Sequence, residues 1–364
     1  MLKNNSTKIK KENCLRFYLN DNLIEKSISD PQETLLDFLR INQNLKGTKE
    51  GCAEGDCGAC TVLIGKVNKD NQVSYRTANS CIVFLPSIDN SHLITVDGLS
   101  NSLEELHPVQ EAMVQNSGAQ CGFCTPGFVM SMFAMYKNFS KFSDEIVDET
   151  LSGNLCRCTG YRPIIEAAKS LNSKKVNDNF KKNEKRIIKM LNKIQDRDIE
   201  ISYKNKKYFA PKSLTNLKKI LKNNLKIKFL SGGTDLSLEV TKKRGEIEKM
   251  ISLNSVKELK FIKETKKSIE VGSGVSLYEF QNVIKSHYPD FCNILKRYGS
   301  VQIRNVGTLA GNIATASPIG DSLPLLLSLD SKIKIQTLKS IKTIPLSEFF
   351  LSYRKTKLKK GEFL

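Results

Sequence analysis

The sequence is poor in the features that would place it in a membrane, outside the cell or on a nucleic acid. No apolar run in its 364 residues approaches the roughly 18 needed to cross a bilayer. The start, MLKNNSTKIKKEN, is basic but has no apolar stretch behind it, so it does not read as a secretory signal. A cytoplasmic protein without a membrane partner is expected. There are only three histidines, His92, His107 and His287, which leaves little scope for histidine-rich metal sites. There is no internal repeat of fixed period. The Rossmann fingerprint Gly-x-Gly-x-x-Gly is absent too. Its nearest approach, Gly272-Ser273-Gly274, would need a third glycine where Leu277 stands.

Charge is abundant but unevenly placed. The chain carries 57 basic and 38 acidic side chains, a formal +19. Residues 1–169 hold 17 basic and 20 acidic groups, and residues 170–364 hold 40 and 18. Most of the excess is lysine without interleaved aromatics, and no helix-turn-helix, RNA-recognition or zinc-finger pattern accompanies it. It reads as a solvated Lys-rich surface, with some attraction for anionic cofactors or an acidic partner, and no nucleic-acid partner is expected. Hydrophobic residues at 40 % supply ordinary cores, and the length suggests two or three domains.

Along the chain, LRFYLNDNLIEKS (15–27) reads as a hairpin turning at Asn20-Asp21-Asn22. Asp30-Pro31 opens a helix carrying Leu35, Leu36 and Leu39, and a loop dense in glycine and cysteine runs from Gly47 to Cys60. Strands are expected at 61–65, 81–85 and 93–96. Residues 108–116 and 127–137 have helical spacing, and Pro163 suits the start of another helix. Residues 172–199 are polar and Lys-rich, as an interdomain linker would be. From Ile201 strands and helices alternate, with glycine turns at 231–233, 272–274 and 307–311.

The ten cysteines carry the strongest signal. A reducing compartment argues against disulfides and leaves metal binding or catalysis. Cys52, Cys57 and Cys60 lie in one glycine-rich loop, and Cys81 follows after 20 intervening residues, the plant-type [2Fe–2S] spacing. One short loop wraps the two irons, and Gly51, Gly55 and Gly58 let the backbone come close with its N–H groups toward sulfur. A structural zinc site is the alternative, but it favours paired short spacings. The second group is Cys121-x2-Cys124 with Cys156-x-Cys158. Alone it is open between zinc and iron–sulfur; beside a ferredoxin-like unit it reads as a second cluster. No histidine falls in either motif, which disfavours a Rieske centre. Cys14 and Cys292 read as spectators.

Two glycine segments could face a ligand. Phe229-Leu230-Ser231-Gly232-Gly233-Thr234-Asp235-Leu236 runs from a strand through a turn into a helix, a geometry whose backbone N–H groups can meet a pyrophosphate. Residues 304–321, RNVGTLAGNIATASPIGD, are small and hydroxylic, suited to lying along a ligand.

The segments GCAEGDCGACTV (51–62), QCGFCTPGFVMSM (120–132) and GNLCRCTGYRPI (153–164) resemble the molybdenum hydroxylase family, in its xanthine dehydrogenase branch, from about residue 14 to the end. The resemblance implies a multidomain α+β fold. This comprises a β-grasp ferredoxin-like [2Fe–2S] domain (14–98), a helical-bundle [2Fe–2S] domain (99–171), the linker (172–199) and an α/β FAD-binding domain of the molybdopterin dehydrogenase type (200–364). It implies that Cys52, Cys57, Cys60 and Cys81 hold one cluster and that Cys121, Cys124, Cys156 and Cys158 hold the other. It brings residues 229–236 to the pyrophosphate of FAD, and Thr308, Gly311, Asn312, Ala314, Thr315 and Asp321 to its ribityl, phosphate and ribose groups. Tyr298 would lie near a flavin or adenine ring, Leu358 would be a further contact, and Gln120 would approach a molybdopterin across a subunit boundary.

The implied function is that of an electron-transfer subunit with no catalytic side chain of its own. A molybdopterin-binding large subunit would hydroxylate a purine, and electrons would pass through two [2Fe–2S] clusters to FAD and then to NAD, in a dimer of heterodimers. Family members continue for about another domain's length past the position of Leu364, so the end of the flavin domain is expected to be missing or supplied by a separate chain. A dehydrogenase of the same family for an aldehyde or another heteroaromatic, and a non-catalytic remnant, are the alternatives.

Overall fold

The computed structural model describes residues 14–68, 70–100, 105–173, 178–194 and 196–364. Its first unit is a five-stranded sheet in the order β2-β1-β5-β3-β4, formed by β1 (Cys14–Leu19), β2 (Asn22–Ser27), β3 (Thr61–Val67), β4 (Val73–Asn79) and β5 (His92–Ile94). β1 and β5 are parallel, and the other neighbours are antiparallel. β1 alternates, so Leu15, Phe17 and Leu19 face the core, as period-2 side-chain geometry requires. Asn20 turns the hairpin at φ 53°, a left-handed conformation that asparagine tolerates. A short helix α1 (Leu35–Asp37), capped by Thr34 and continued by a wider turn, buries Leu35, Leu36, Phe38 and Leu39.

One strand differs from expectation. Residues 81–85 are not a strand: Ser80–Ile82 forms a tight 3-10 turn. Ser80 donates both its backbone N–H (3.2 Å) and its hydroxyl (2.7 Å) to the carbonyl of Cys60, which bends the chain toward the cysteine loop. The strand lies earlier, in VSYRTAN, whose polar residues conceal its period.

The helical unit comprises α2 (Pro108–Gln115), α3 (Thr125–Asn138), α4 (Asp144–Leu151) and α5 (Arg162–Ser170). Every residue of α3 from Gly127 to Tyr136 is buried, so it is the central helix, enclosed by the others and by Leu63, Tyr75 and Ile94 of the sheet.

The segment expected to be a linker is largely structured. Residues 174–177 and 195 lie outside the described residues, but α6 (Asn179–Lys182) and α7 (Glu184–Lys193) occupy most of the rest. Ile187, Leu191 and Ile194 pack against Tyr18, Val67, Val73 and Phe180. Asp178, 5 % exposed, caps α6 and accepts from Lys137 Nζ at 3.0 Å, with His107 Nε2 at 3.3 Å. Burial opposes its charge, but the His107 contact and the Lys137 ammonium hold its carboxyl down at about 2. A lysine count marks solvent exposure on average; three apolar residues at helical spacing and one paired aspartate outweigh it here.

Next come β6 (Ile199–Tyr203), β7 (Lys206–Ala210), α8 (Leu214–Lys222), β8 (Lys228–Leu230), α9 (Leu238–Thr241) and β9 (Lys249–Ser252), with sheet order β6-β7-β9-β8. Ile199, Ile201, Tyr208, Leu230 and Met250 share one core with Leu15, Phe17 and Leu93 of the first sheet. The remainder contains the hairpin β10 (Ile262–Glu264) and β11 (Ile269–Val271), followed by helices α10 (Leu277–His287), α11 (Pro289–Arg297), α12 (Val301–Val306), α13 (Leu309–Thr315) and α14 (Ser322–Ser328). The hairpin β12 (Lys332–Gln336) and β13 (Ile341–Pro345) then packs on a core that includes Phe280, Leu295, Leu309, Leu326 and Phe349. Among the described residues, no helix is long and apolar enough to cross a membrane.

Candidate metal centres and cofactor site

The loop between α1 and β3 brings three of the first four cysteines together, and the turn after β4 adds the fourth. Cys60 Sγ lies 3.3 Å from Cys81 Sγ, both buried. Cys52 Sγ accepts from the backbone N–H groups of Glu54 (3.5 Å), Asp56 (3.3 Å) and Cys57 (3.4 Å). The neighbouring Cys81 thiol, and then these N–H groups, hold Cys52 down at about 3 against its burial. Cys81 is pushed up, by Cys52 first and Cys60 next. Backbone N–H groups around a sulfur are what a thiolate-bound cluster needs. The donor set is four sulfurs with no imidazole or carboxylate among them, which is the chemistry of a [2Fe–2S] site, while among the described residues no three such side chains are spaced to hold a single metal ion.

The second set lies at the head of α3 and in the loop before α5. Cys121 and Cys158 are exposed, while Cys124 and Cys156 are half-buried. Contacts with Cys158 and Cys156 tie the set together: Cys121 is lowered, by the backbone N–H of Phe123 first and by Cys158 next. Cys124 is pushed up to about 12 by burial and by Cys156. Burial raises Cys156 too, but the hydroxyl and N–H of Thr159 bring it down to about 7. Gln120 is exposed beside Cys121, and Phe123, Leu155 and Tyr161 surround the set with exposed apolar surface.

The two loops touch. Leu155 N–H donates to the carbonyl of Cys57 at 2.9 Å, so a residue adjoining Cys156 is hydrogen-bonded to a cysteine of the first set. Asn154 Nδ2 donates to Gly58 O at 3.0 Å. Gly58 has φ +70°, and a Cβ there would stand 2.2 Å from Gly153 O. The junction therefore admits only glycine.

The glycine turn after β8 packs against the first cysteine loop. Ser237 Oγ donates to Ile82 O at 2.7 Å, one residue beyond Cys81. Ile303 of α12 and Leu238 of α9 pack on Cys60, Cys81 and Ile82. Gly232 has φ +81°, and a Cβ there would lie 2.0 Å from Val306 O. Phe229 stacks on Phe363, and Leu230 enters the shared core, so only their backbones can face a ligand.

Most of the other expected contacts converge near this turn. Thr308 caps α13, accepting from Gly311 N–H at 3.0 Å, and its hydroxyl pairs with Ser231 Oγ at 2.9 Å. Asn312 Nδ2 donates to the Tyr298 hydroxyl at 2.6 Å. Burial raises the Tyr298 phenol, and the nearby charges of Asp321 and Asp235 raise it further. Thr315 is half-buried, its hydroxyl donating to Gly311 O of its own helix at 2.8 Å. Leu358 packs on the same core as Tyr298.

A cavity of about 1080 Å³ opens between the first sheet and the C-terminal half. Leu230, Gly232 and Thr308 border it, whereas Tyr298, Asn312 and Asp321 do not. Lys66 and Lys260 line it; surrounding protein lowers both, and the Lys260 charge helps bring Lys66 down to about 8.

Sequence reasoning missed the residues that join the units: Asn154, Ser131, Ser237, Ile82 and Gln302. Asn154 lies inside GNLCRCTG, so its presence among the ligands was a signal; Gln302 stands just before the segment that was singled out.

Three family descriptions match the chain: the 2Fe-2S iron-sulfur cluster binding domain over 17–85, the [2Fe-2S] binding domain over 95–169, and the FAD binding domain in molybdopterin dehydrogenase over 201–364. Among curated proteins, xanthine dehydrogenase of Emericella nidulans is 32 % identical, covering 95 % of this chain and 29 % of the relative. Xanthine dehydrogenase 1 of Arabidopsis thaliana is 33 % identical over 91 % of this chain and 29 % of the relative. Aldehyde oxidase 3 of Mus musculus is 31 % identical over 94 % and 30 %. The chain thus spans less than a third of the length of these relatives.

Proposed function

We propose, from the premise that the chain belongs to the molybdenum hydroxylase family and carries its two [2Fe–2S] domains and FAD-binding domain, that it relays electrons from a molybdopterin-bearing partner to NAD. When bound, the clusters supply one-electron carriers and the flavin exchanges one or two electrons, which lets a one-electron chain serve a hydride acceptor.

The observation that carries this reading is the order in which the chain's own residues meet. The more exposed second cysteine set touches the more buried first set through Leu155 N–H and Cys57 O at 2.9 Å. The first set in turn touches the segment after the glycine turn, where Ser237 Oγ donates to the carbonyl of Ile82, next to Cys81. Cys52, Cys57, Cys60 and Cys81 hold one cluster, and Cys121, Cys124, Cys156 and Cys158 the other. Residues 229–236 cradle the pyrophosphate with backbone N–H groups, while Thr308, Gly311, Asn312, Ala314, Thr315 and Asp321 line the rest of the flavin, with Tyr298 and Leu358 at its edge. Gln120 and the apolar rim of Phe123, Leu155 and Tyr161 face the partner. No side chain here needs to act as an acid or base, and the partner's pocket chooses between a purine and another heteroaromatic or aldehyde.

The test is purification under argon with metal, sulfide and flavin assays. The reading predicts about four irons and about one FAD per chain. Iron without flavin would favour a non-catalytic remnant, and zinc in place of iron would contradict both.

A further inference from the structure

Helix α12 is only six residues long, yet successive side chains reach different units. Asn305 Nδ2 donates to Thr77 of β4, to its carbonyl and its hydroxyl, both at 3.0 Å. Arg304, fully buried, pairs with Glu149 of α4 at 2.6 Å and donates to the carbonyls of Gly299 and Lys296. Ile303 packs on the first cysteine loop.

Gln302 goes furthest. It is 1 % exposed, and its Nε2 reaches Asn154 Oδ1 (3.2 Å), Ser131 Oγ (3.2 Å) and Thr61 Oγ1 (3.3 Å). The hydrogens of those neighbours are committed elsewhere. Thr61 Oγ1 donates to Gly58 O at 2.6 Å, Ser131 Oγ to Asn154 Oδ1 at 2.6 Å, and Asn154 Nδ2 to Gly58 O at 3.0 Å. Residue 302 has to bring N–H donors, since three oxygens face it with none of their own to spare; the two Nε2 hydrogens are shared among the three, and the Gln302 Oε1 is buried without a partner. Two of the three then hold Gly58 O, the carbonyl next to Cys57. Cys57 O takes the Leu155 N–H.

We propose that Gln302, from the flavin-binding half, is a positioning residue for the contact between the two cysteine loops, so that docking of that half sets the geometry between two centres it does not itself bind. This rests on the proposed electron-transfer function. The role requires an amide. Gln302→Met keeps the length but removes the donors, and Gln302→Glu keeps the shape but aims a carboxylate at three acceptors, so the glutamate variant is the more damaging.

The test uses the full chain purified anaerobically. Hydrogen exchange at Leu155 is expected to accelerate about tenfold in Q302M and more in Q302E, the scale of one lost buried hydrogen bond. Electron paramagnetic resonance of the reduced protein is expected to show weaker magnetic interaction between the centres, with both signals retained. Asn305→Ala is the control, because it loosens the same helix without touching the ring. Equal acceleration in N305A and Q302M, or unchanged Leu155 exchange and unchanged magnetic interaction in Q302M, overturns the inference. A wild-type chain with no iron–sulfur signal overturns the electron-transfer reading as well. The exchange result needs no iron, so the two failures are told apart.

Discussion

The two cysteine loops solve one chemical problem in opposite surroundings. In the first, Cys60 and Cys81 are buried, and Cys52 sits under three backbone N–H groups. In the second, Cys121 and Cys158 are exposed, and a side-chain hydroxyl, that of Thr159, helps to tune Cys156. The inner loop packs against the sheet, the helical unit and the glycine turn, with Cys60 and Cys81 buried, Cys52 and Cys57 half-buried, and Gly51 and Asp56 at its exposed edge. The outer loop is enclosed on one side and ringed by apolar surface on the other. Of the two, the outer loop is therefore the more open to solvent.

The largest expected effect comes from joining the two loops wrongly. Gly58→Ala combines a left-handed φ with a Cβ 2.2 Å from Gly153 O. It should cost about 3 kcal/mol or more and reduce the iron content of both centres, measured by denaturant unfolding and metal analysis. Loss of iron from one centre alone would mean that the loops do not depend on this contact. Cys156→Ser should abolish the outer signal and leave the inner one intact, because the inner loop draws no ligand from α5 or its preceding loop. Disappearance of both signals from a folded protein would show that the two units are not separable.

Asp178→Asn probes the anchoring of the segment that follows the helical unit. The Asp178 carboxyl is held at about 2, below its ordinary value. Its contribution is therefore complete above that ordinary value and lost as pH falls toward 2. The stability gap between wild type and D178N should be about 2 kcal/mol at pH 6 and shrink from pH 4 toward pH 2.5. A gap that did not change with pH would contradict the assigned ionisation. Least of all, Leu155→Ser should change stability by no more than about 0.5 kcal/mol, since the side chain is 54 % exposed and the backbone N–H makes the contact.

Much of this organisation is readable in the chain. The first cysteine spacing is that of a plant-type [2Fe–2S] loop, and the second reads as a cluster site only beside it; the matches to [2Fe–2S] domains over 17–85 and 95–169 agree with both at the level of the domain. The helices at 108–115 and 125–138 follow from apolar period, and the glycine turn at 231–233 from the absence of β-carbons where backbone must approach backbone. Other features are hidden for identifiable reasons. β4 is too polar to show alternation, since Arg76 and Asn79 serve contacts outside the sheet: Arg76 pairs with Glu279 of the C-terminal half at 3.0 Å, and Asn79 donates to the carbonyl of Gly55 in the cysteine loop. Helix α7 hides in a lysine-rich background. Gln302 and Asn154 act between residues 148 positions apart, a relation that no local pattern encodes.

The central claim is that two iron–sulfur centres lie against each other and against a flavin turn in one chain. Electron paramagnetic resonance of the dithionite-reduced, anaerobically purified protein tests it most directly. The account predicts two distinct [2Fe–2S] signals integrating to about two spins per chain, each broadened by the other. Two signals with no mutual broadening, a single signal, or a silent protein with zinc at the cysteines would contradict it.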